Sequence, residues 1–303
     1  MPGRRGRVTY AAYRGAAELA QVLPASVLTR LVTVAGRVAR YPQPTHHRMA
    51  LRHQRRIAPG TSDADLHRAV NGMWHSYARY WMEIFRLPVE VRAGNVVDHF
   101  TIAGFEHIEH GLTRGKGVIL ALPHLGGWEW AAAWMAAPPR NHRMLAVVEA
   151  LEPPELLEWF ARQREAMGLE VVPLGADVVR RVVAALRDGR IVCLLADRDI
   201  GGEGIEVEFF GERTTLPAGP ATLALRTGAT LLPAAVYFQD GRDHHAVVRP
   251  PVPVERTERL REDVQRITQQ LAEEFETLIR AAPEQWHLFQ PNWPSDRDGK
   301  TGA

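Results

Sequence analysis

One cysteine, two lysines and four serines are all that this 303-residue chain contains of those three residue types, and each scarcity closes off a class of protein. Cys193 alone leaves no partner for a disulfide and rules out a cysteine-rich metal site, which points to a reducing, cytoplasmic setting. The serines stand at 26, 62, 76 and 295, none of them after an expected core strand, and no G-x-S-x-G elbow occurs. A hydrolase-type serine nucleophile is therefore excluded. Nor do about 20 apolar residues ever run unbroken, so no transmembrane helix is expected. "MPGRRGRVTY" opens with arginines, but Arg14 and Glu18 interrupt what would have to be the apolar region of a secretory signal. The near absence of lysine reflects GC-rich codon usage more than function.

What the chain does contain is apolar bulk and unevenly placed arginine. Apolar residues make up 46% of it, enough for a large core, and α/β folds of this length are often one domain. Residues 1–100 carry fifteen arginines against six acidic residues, a net +9, so the remainder holds −7 of the overall +2. Such a basic third implies an anionic partner surface. Arg48, Arg52, Arg55 and Arg56 have no nucleic-acid motif around them, which leaves a membrane face. "GLTRGKGV" (111–118) is too short for a phosphate loop and has Gly117 where Ser or Thr is needed. His107 and His110 in "EHIEH" lack a third ligand, so no metal is expected.

Two rhythms divide the chain. Residues 10–40 are helical in pattern and broken near Pro24, with apolar clusters at Leu19, Val22, Leu23 and at Leu28, Leu31, Val32, Val34. Residues 63–87 form another helix, whose Trp74, Tyr77, Trp81 and Phe85 recur at helical spacing as a core stripe. From residue 100, strands at 117–123, 144–149, 169–174, 191–196, 205–211, 230–238 and 244–249 alternate with helices at 127–137, 153–167, 177–188, after Pro217 and at 257–281. Continuously apolar strands alternating with helices predict an α/β fold with a mostly parallel central sheet flanked by helices. Residues 1–99 form an N-terminal helical extension packed on a 100–294 core, and 295–303 a flexible tail.

The chemistry points to "ALPHLGGWEW" (121–130). On a regular helix His124 and Glu129 would face different ways. If His124 lies in the turn after a strand and Glu129 in the first helical turn, with Gly126 and Gly127 bending the chain, the carboxylate reaches back to the imidazole. A carboxylate on one ring nitrogen fixes the tautomer and frees the other as general base. The place is the carboxyl end of a strand, where open α/β sheets bind ligands. With no protein nucleophile in position, the attacking group belongs to the substrate. Cys193 in "IVCLLA" is expected to be a buried, inert thiol.

"HLGGWE" has the H-x4-D/E form of the glycerolipid-type acyltransferases. Together with "VVEALEPPELLEWFARQREAMGLEVVPL", "LLADRDIGGEGIEVEFFGERTTLPAGPATLALRTGATLLP" and "PEQWHLFQPNWP" it resembles their glycolipid branch over residues 100–294. That branch holds lipid A and actinobacterial phosphatidylinositol mannoside acyltransferases. Pro123 stands where an asparagine is common and no FPEGTRS-like block occurs, which argues against glycerol-phosphate acylation. The lipid A enzymes usually carry an N-terminal membrane span and this sequence shows none, so the mannoside enzymes fit better. The resemblance implies transfer of a palmitoyl-type acyl group from acyl-CoA, a co-substrate rather than a cofactor, to a mannose hydroxyl; the alternatives are acyl transfer to another, lipid A-like glycolipid and a noncatalytic membrane protein that holds a lipid or coenzyme A. It implies a monomer attached peripherally to the cytoplasmic face of an anionic membrane. His124 would be the base and Glu129 its orienting partner, with Gly126 and Gly127 N–H groups as oxyanion donors. The resemblance also places Glu149 and Arg164 at the same cleft. Asp197 and Arg198 of "ADRD" end another strand and are candidate substrate-binding residues. The acyl groove would be lined by buried helices such as 127–137.

Overall fold

The computed structural model describes residues 4–39, 41–149, 153–257 and 259–297. Five helices come first: α1 (Arg4–Val22), α2 (Ala25–Val38), α3 (Pro44–Ile57), α4 (Asp63–Arg92) and α5 (Asn95–Asp98). Next come β1 (Phe100–Ala103), α6 (Phe105–Thr113), β2 (Val118–Leu122), α7 (Trp128–Ala136), β3 (Met144–Val148), α8 (Pro154–Glu165), β4 (Leu169–Pro173), α9 (Val178–Arg187) and β5 (Ile191–Leu195). A separate hairpin, β6 (Ile205–Phe209) and β7 (Glu212–Leu216), precedes α10 (Gly219–Thr227), β8 (Thr230–Phe238), β9 (His244–Val248) and α11 (Leu260–Ala281). A 3-10 turn at Pro283–Gln285 and the short α12 (Pro294–Arg297) end the described chain.

The seven-stranded sheet has the order β1-β9-β8-β2-β5-β3-β4. All pairings are parallel except β8 with β9. Every side chain of β2 and β8 is buried, because helices cover both faces. Alternation along β2 sends Ile119 and Ala121 into one core, under α9, α10 and α11, and Val118, Leu120 and Leu122 into the other, under α7. From β2 the chain crosses to β3 and β4 on one side; from β5 it crosses to β8 on the other. The carboxyl ends of β2 and β5 thus flank the point where chain direction across the sheet reverses, the place where such sheets hold ligands.

The expected elements are present with small shifts at their ends. Residues 205–211 belong to the detached hairpin rather than to the main sheet. The four-residue β1, α3 and β7 have too few apolar residues in period to stand out. On α2, Leu28 and Val32 are buried while Val27, Leu31, Val34 and Val38 are exposed at helical spacing, flanked by exposed Arg30 and Arg37. Among the described residues no helix is long and apolar enough to cross a membrane. Ser62 caps α4 by accepting from the Asp65 N–H. The aromatic stripe on α4 splits: Trp74 is buried with Met73 and Phe289, whereas Trp81 faces the cavity described below.

The C-terminal segment ties the N-terminal helices to the sheet. His53 of α3 is fully buried, its Nδ1 3.0 Å from the Leu288 carbonyl and its Nε2 3.2 Å from Asp296 Oδ2. Asp296 also accepts from the Asn292 and Trp293 N–H groups and from Arg56. Of the expected flexible tail, residues 295–297 lie in α12 and Asp296 is buried, while residues 298–303 lie outside the described residues. Of the α3 arginines, Arg48 and Arg55 are exposed, while Arg56 and the exposed Arg52 join this contact. Arg56 stacks on Trp293 and pairs with Glu212, and Arg52 donates to the Asp296 carbonyl.

Burial works to raise the Asp296 carboxyl, but the His53 hydrogen bond, the two backbone donors and the His53 charge outweigh it and hold its pKa well below the ordinary range. A depressed folded-state pKa contributes stability above the unfolded value that is lost as pH falls through the folded one. Asp296→Ala is expected to cost about 3–5 kcal/mol at pH 7, the range for breaking a buried pair. Its difference from the parent should shrink as pH falls below about 4, the unfolded carboxylate pKa. Urea unfolding across pH measures this; equal stability of variant and parent at pH 7 would refute it.

Candidate active site

The parallel register pairs Leu122 of β2 with Leu195 of β5, and the ladder runs one step further, with the Ala196 N–H donating to the Leu122 carbonyl. Two residues beyond each paired leucine stand His124 and Asp197, equivalent positions on adjacent strands and hence neighbours. The His124 Nδ1 lies 2.6 Å from Asp197 Oδ1, and its backbone N–H donates to Asp197 Oδ2 at 3.0 Å. The Trp286 indole N–H adds a 2.7 Å bond to the same Oδ2. Asp197 is wholly buried, while the His124 side chain keeps 35% of its surface exposed. Burial would raise the Asp197 pKa; the facing His124 charge, the ring hydrogen bond, Trp286 and the backbone N–H together hold it below the ordinary value. An ionised carboxylate accepts only, so Nδ1 carries hydrogen and Nε2 is free to take a proton.

The expected orienting partner was Glu129, and the structure corrects this. Glu129 does sit in the first turn of α7 but hydrogen-bonds elsewhere: Arg164 donates to its Oε1 at 2.9 Å and the Tyr80 hydroxyl at 3.1 Å. Five residues of separation allow either arrangement; the strand register decides for Asp197. Burial, then the Glu129 charge, pushes the Tyr80 hydroxyl well up, so it stays protonated as a donor. Arg164 is held by Glu129 with its Nε unpartnered and borders the cavity. Arg198 and Glu149 form a 2.8 Å pair on the cavity wall. Thus His124, Glu149, Arg164 and Arg198 line one cavity, Asp197 lies directly behind His124, and Glu129 lies behind Arg164.

The two glycines sit in the expected turn and also allow a close approach to β8. Gly126 has φ +59°, and a Cβ there would lie 1.8 Å from the Val236 carbonyl oxygen; at Gly127 it would lie 2.7 Å from the Phe238 ring. Both let the loop press against β8. The Gly126 N–H is committed to the Gln285 carbonyl at 3.0 Å and is no oxyanion donor. Leu125 bridges Trp286, and the His287 N–H donates to the His124 carbonyl at 2.7 Å. His287 is driven down to about 3 by burial and by the neighbouring His124 charge, so it stays neutral, its Nε2 2.8 Å from the Ser76 hydroxyl.

The cavity has a volume of about 600 Å³. Its walls are apolar faces: Trp81 and Ile84 of α4, Leu157 and Phe160 of α8, Val178 and Val182 of α9, and Leu223 of α10. From the helix expected to line it, α7, only Trp128 contributes; the rest of that helix is packed into the core. Sequence reading missed Tyr80, Trp286, His287 and Asn292. The run "PEQWHLFQPNWP" was a signal for the last three, but nothing local shows which partner each meets. Among the described residues no group of three His, Cys, Asp or Glu side chains can hold a metal ion. Cys193 is buried in the sheet, which pushes its thiol up to about 12.

Residues 6–295 match the family described as bacterial lipid A biosynthesis acyltransferase. The chain is similar to a phosphatidylinositol mannoside acyltransferase of Mycolicibacterium smegmatis, with 36% identity over 96% of this chain and 93% of the relative. It is 41% identical to one of Mycobacterium tuberculosis over 73% of this chain and 69% of the relative. A lipid A biosynthesis acyltransferase of Haemophilus influenzae is 27% identical over 65% of this chain and 60% of the relative.

Gly126→Ala combines a positive φ with a collision against backbone, so a loss on the order of 3 kcal/mol is expected. Gly175→Ala, with nothing within 4 Å of its new Cβ, serves as the neutral comparison. Thermal melting of both variants distinguishes them; similar melting points would contradict the close approach.

Proposed function

The chain belongs to the bacterial lipid A biosynthesis acyltransferase family, and on that footing we propose that it moves a palmitoyl-type acyl group from acyl-CoA to a mannose hydroxyl of phosphatidylinositol mannosides. The observation that carries the reaction type is the His124–Asp197 pair at the wall of a largely apolar cavity. The acceptor rests on the two mycobacterial relatives, one of which spans almost the whole chain.

His124 Nε2 takes the proton from the sugar hydroxyl as its oxygen attacks the thioester carbon. Buried, ionised Asp197 stabilises the resulting imidazolium. The carbon–sulfur bond then breaks, and the imidazolium returns the proton to the departing thiolate, so no covalent acyl-enzyme forms and no metal or cofactor takes part. With Gly126 committed to Gln285, the donors bordering the developing oxyanion are Arg164, positioned by Glu129, and the first turn of α7. The helix stripes of α8, α9 and α10 give the acyl chain an apolar slot, and the Glu149–Arg198 pair offers sugar hydroxyls a donor and an acceptor.

Access to both lipid substrates comes from peripheral, monomeric attachment to the cytoplasmic face of an anionic membrane. The exposed apolar stripe of α2 with Arg30 and Arg37 supports that placement.

Labelled palmitoyl-CoA incubated with mannosylated phosphatidylinositol and with lipid A-type acceptors, products identified by mass spectrometry, tests the reading. Acylated mannoside is expected; product only on lipid A-type acceptors would reject the acceptor. His124→Ala should lose transfer by at least about 10²-fold, the scale of general-base catalysis, and Asp197→Asn by a similar factor. A folded His124→Ala protein with parental turnover would sink the mechanism. Liposome flotation should show binding to anionic vesicles that weakens as salt rises toward about 1 M, where the screening length is about 3 Å; salt-independent binding would remove the electrostatic contribution.

A further inference from the structure

Resting on that general-base reading, we propose that Trp286 is a positioning residue for the reaction, acting through Asp197 by holding Oδ2 so that Oδ1 alone serves the imidazole. Trp286 is fully buried and does not border the cavity, so it touches no substrate. Its indole N–H lies 2.7 Å from Asp197 Oδ2, against 3.0 Å for the His124 backbone donor on the same oxygen. The Asn292 amide donates to the Asp197 carbonyl at 3.0 Å and fixes the residue's backbone. A carboxylate with both oxygens engaged cannot rotate, and rotation of this one would swing the His124 ring away from the cavity. An indole also supplies a donor without a charge, leaving the full negative charge to stabilise the imidazolium.

The ionisable neighbours do not replace it. Arg198 turns to Glu149, Asp199 accepts from the Gly202 and Gly204 N–H groups and from Thr215, and His287 is neutral. His53 lies tilted at 5.6 Å from the Trp286 ring but pairs with Asp296, and Arg280 lies over Phe210, whose ring is 6.0 Å from that of Trp286.

Trp286→Phe removes the N–H and keeps an aromatic ring. It leaves Asp197 less well solvated, so the His124–Asp197 pair binds a proton more tightly and needs higher pH to be free. A fall in kcat of roughly ten- to a hundredfold is expected, the scale of one hydrogen bond to a charged group, with KM little changed. The acid limb of the pH–rate profile should move up by roughly one unit. Trp293→Phe is the control: its buried indole donates at 3.0 Å to the Phe209 carbonyl, so it should lower the melting temperature without moving the acid limb. If Trp286→Phe fails to fold, 3-benzothienylalanine at 286, which replaces N–H by sulfur at nearly constant shape, carries the test.

An unmoved acid limb and parental kcat in either 286 variant, while Asp197→Asn is inactive, would overturn this assignment alone. Parental turnover in both His124→Ala and Asp197→Asn would instead remove the mechanism beneath it.

Discussion

The hydrogen bond from His124 to Asp197 is the contact around which the rest of this molecule is arranged. It depends on the register of two parallel strands, because each partner lies two residues past a paired leucine. A one-residue slip between β2 and β5 would turn one of the two side chains to the opposite face. The largely buried strands on which the site rests resist such a slip, since it would exchange the contents of two cores.

A buried carboxylate must be given donors or it takes up a proton. Here those donors come from His124 itself and from the C-terminal segment that crosses the strand ends. The same segment accepts the Gly126 N–H through Gln285 and donates to the His124 carbonyl through His287. Through Asp296 it is fastened to His53 and Arg56 of the N-terminal helices. Residues from three distant parts of the chain therefore share one hydrogen-bonded network behind a single imidazole.

Glu129 shows how a correct motif can be given the wrong partner. The pattern H-x4-E identified both residues and their local structure, a turn and a first helical turn. It did not show that Arg164, 35 positions away, would claim the carboxylate, or that Asp197, 73 positions from His124, would take its place on the ring. The turn at Gly126 and Gly127 is legible in the sequence, but the close approach of β8 that also requires them, and the commitment of the Gly126 N–H to Gln285, are not.

The alternation of apolar strands and helices, and with it a mostly parallel sheet with helices on both faces, is legible along the chain alone. So is the place of the imidazole at a strand end, because hydrophobic periodicity and glycine turns are local properties of the chain. Which carboxylate meets His124, which helices wall the cavity and what holds residue 296 in place emerge only in the folded molecule. Those are contacts between residues far apart in sequence, and strand order, register and the path of the C-terminal segment bring them together.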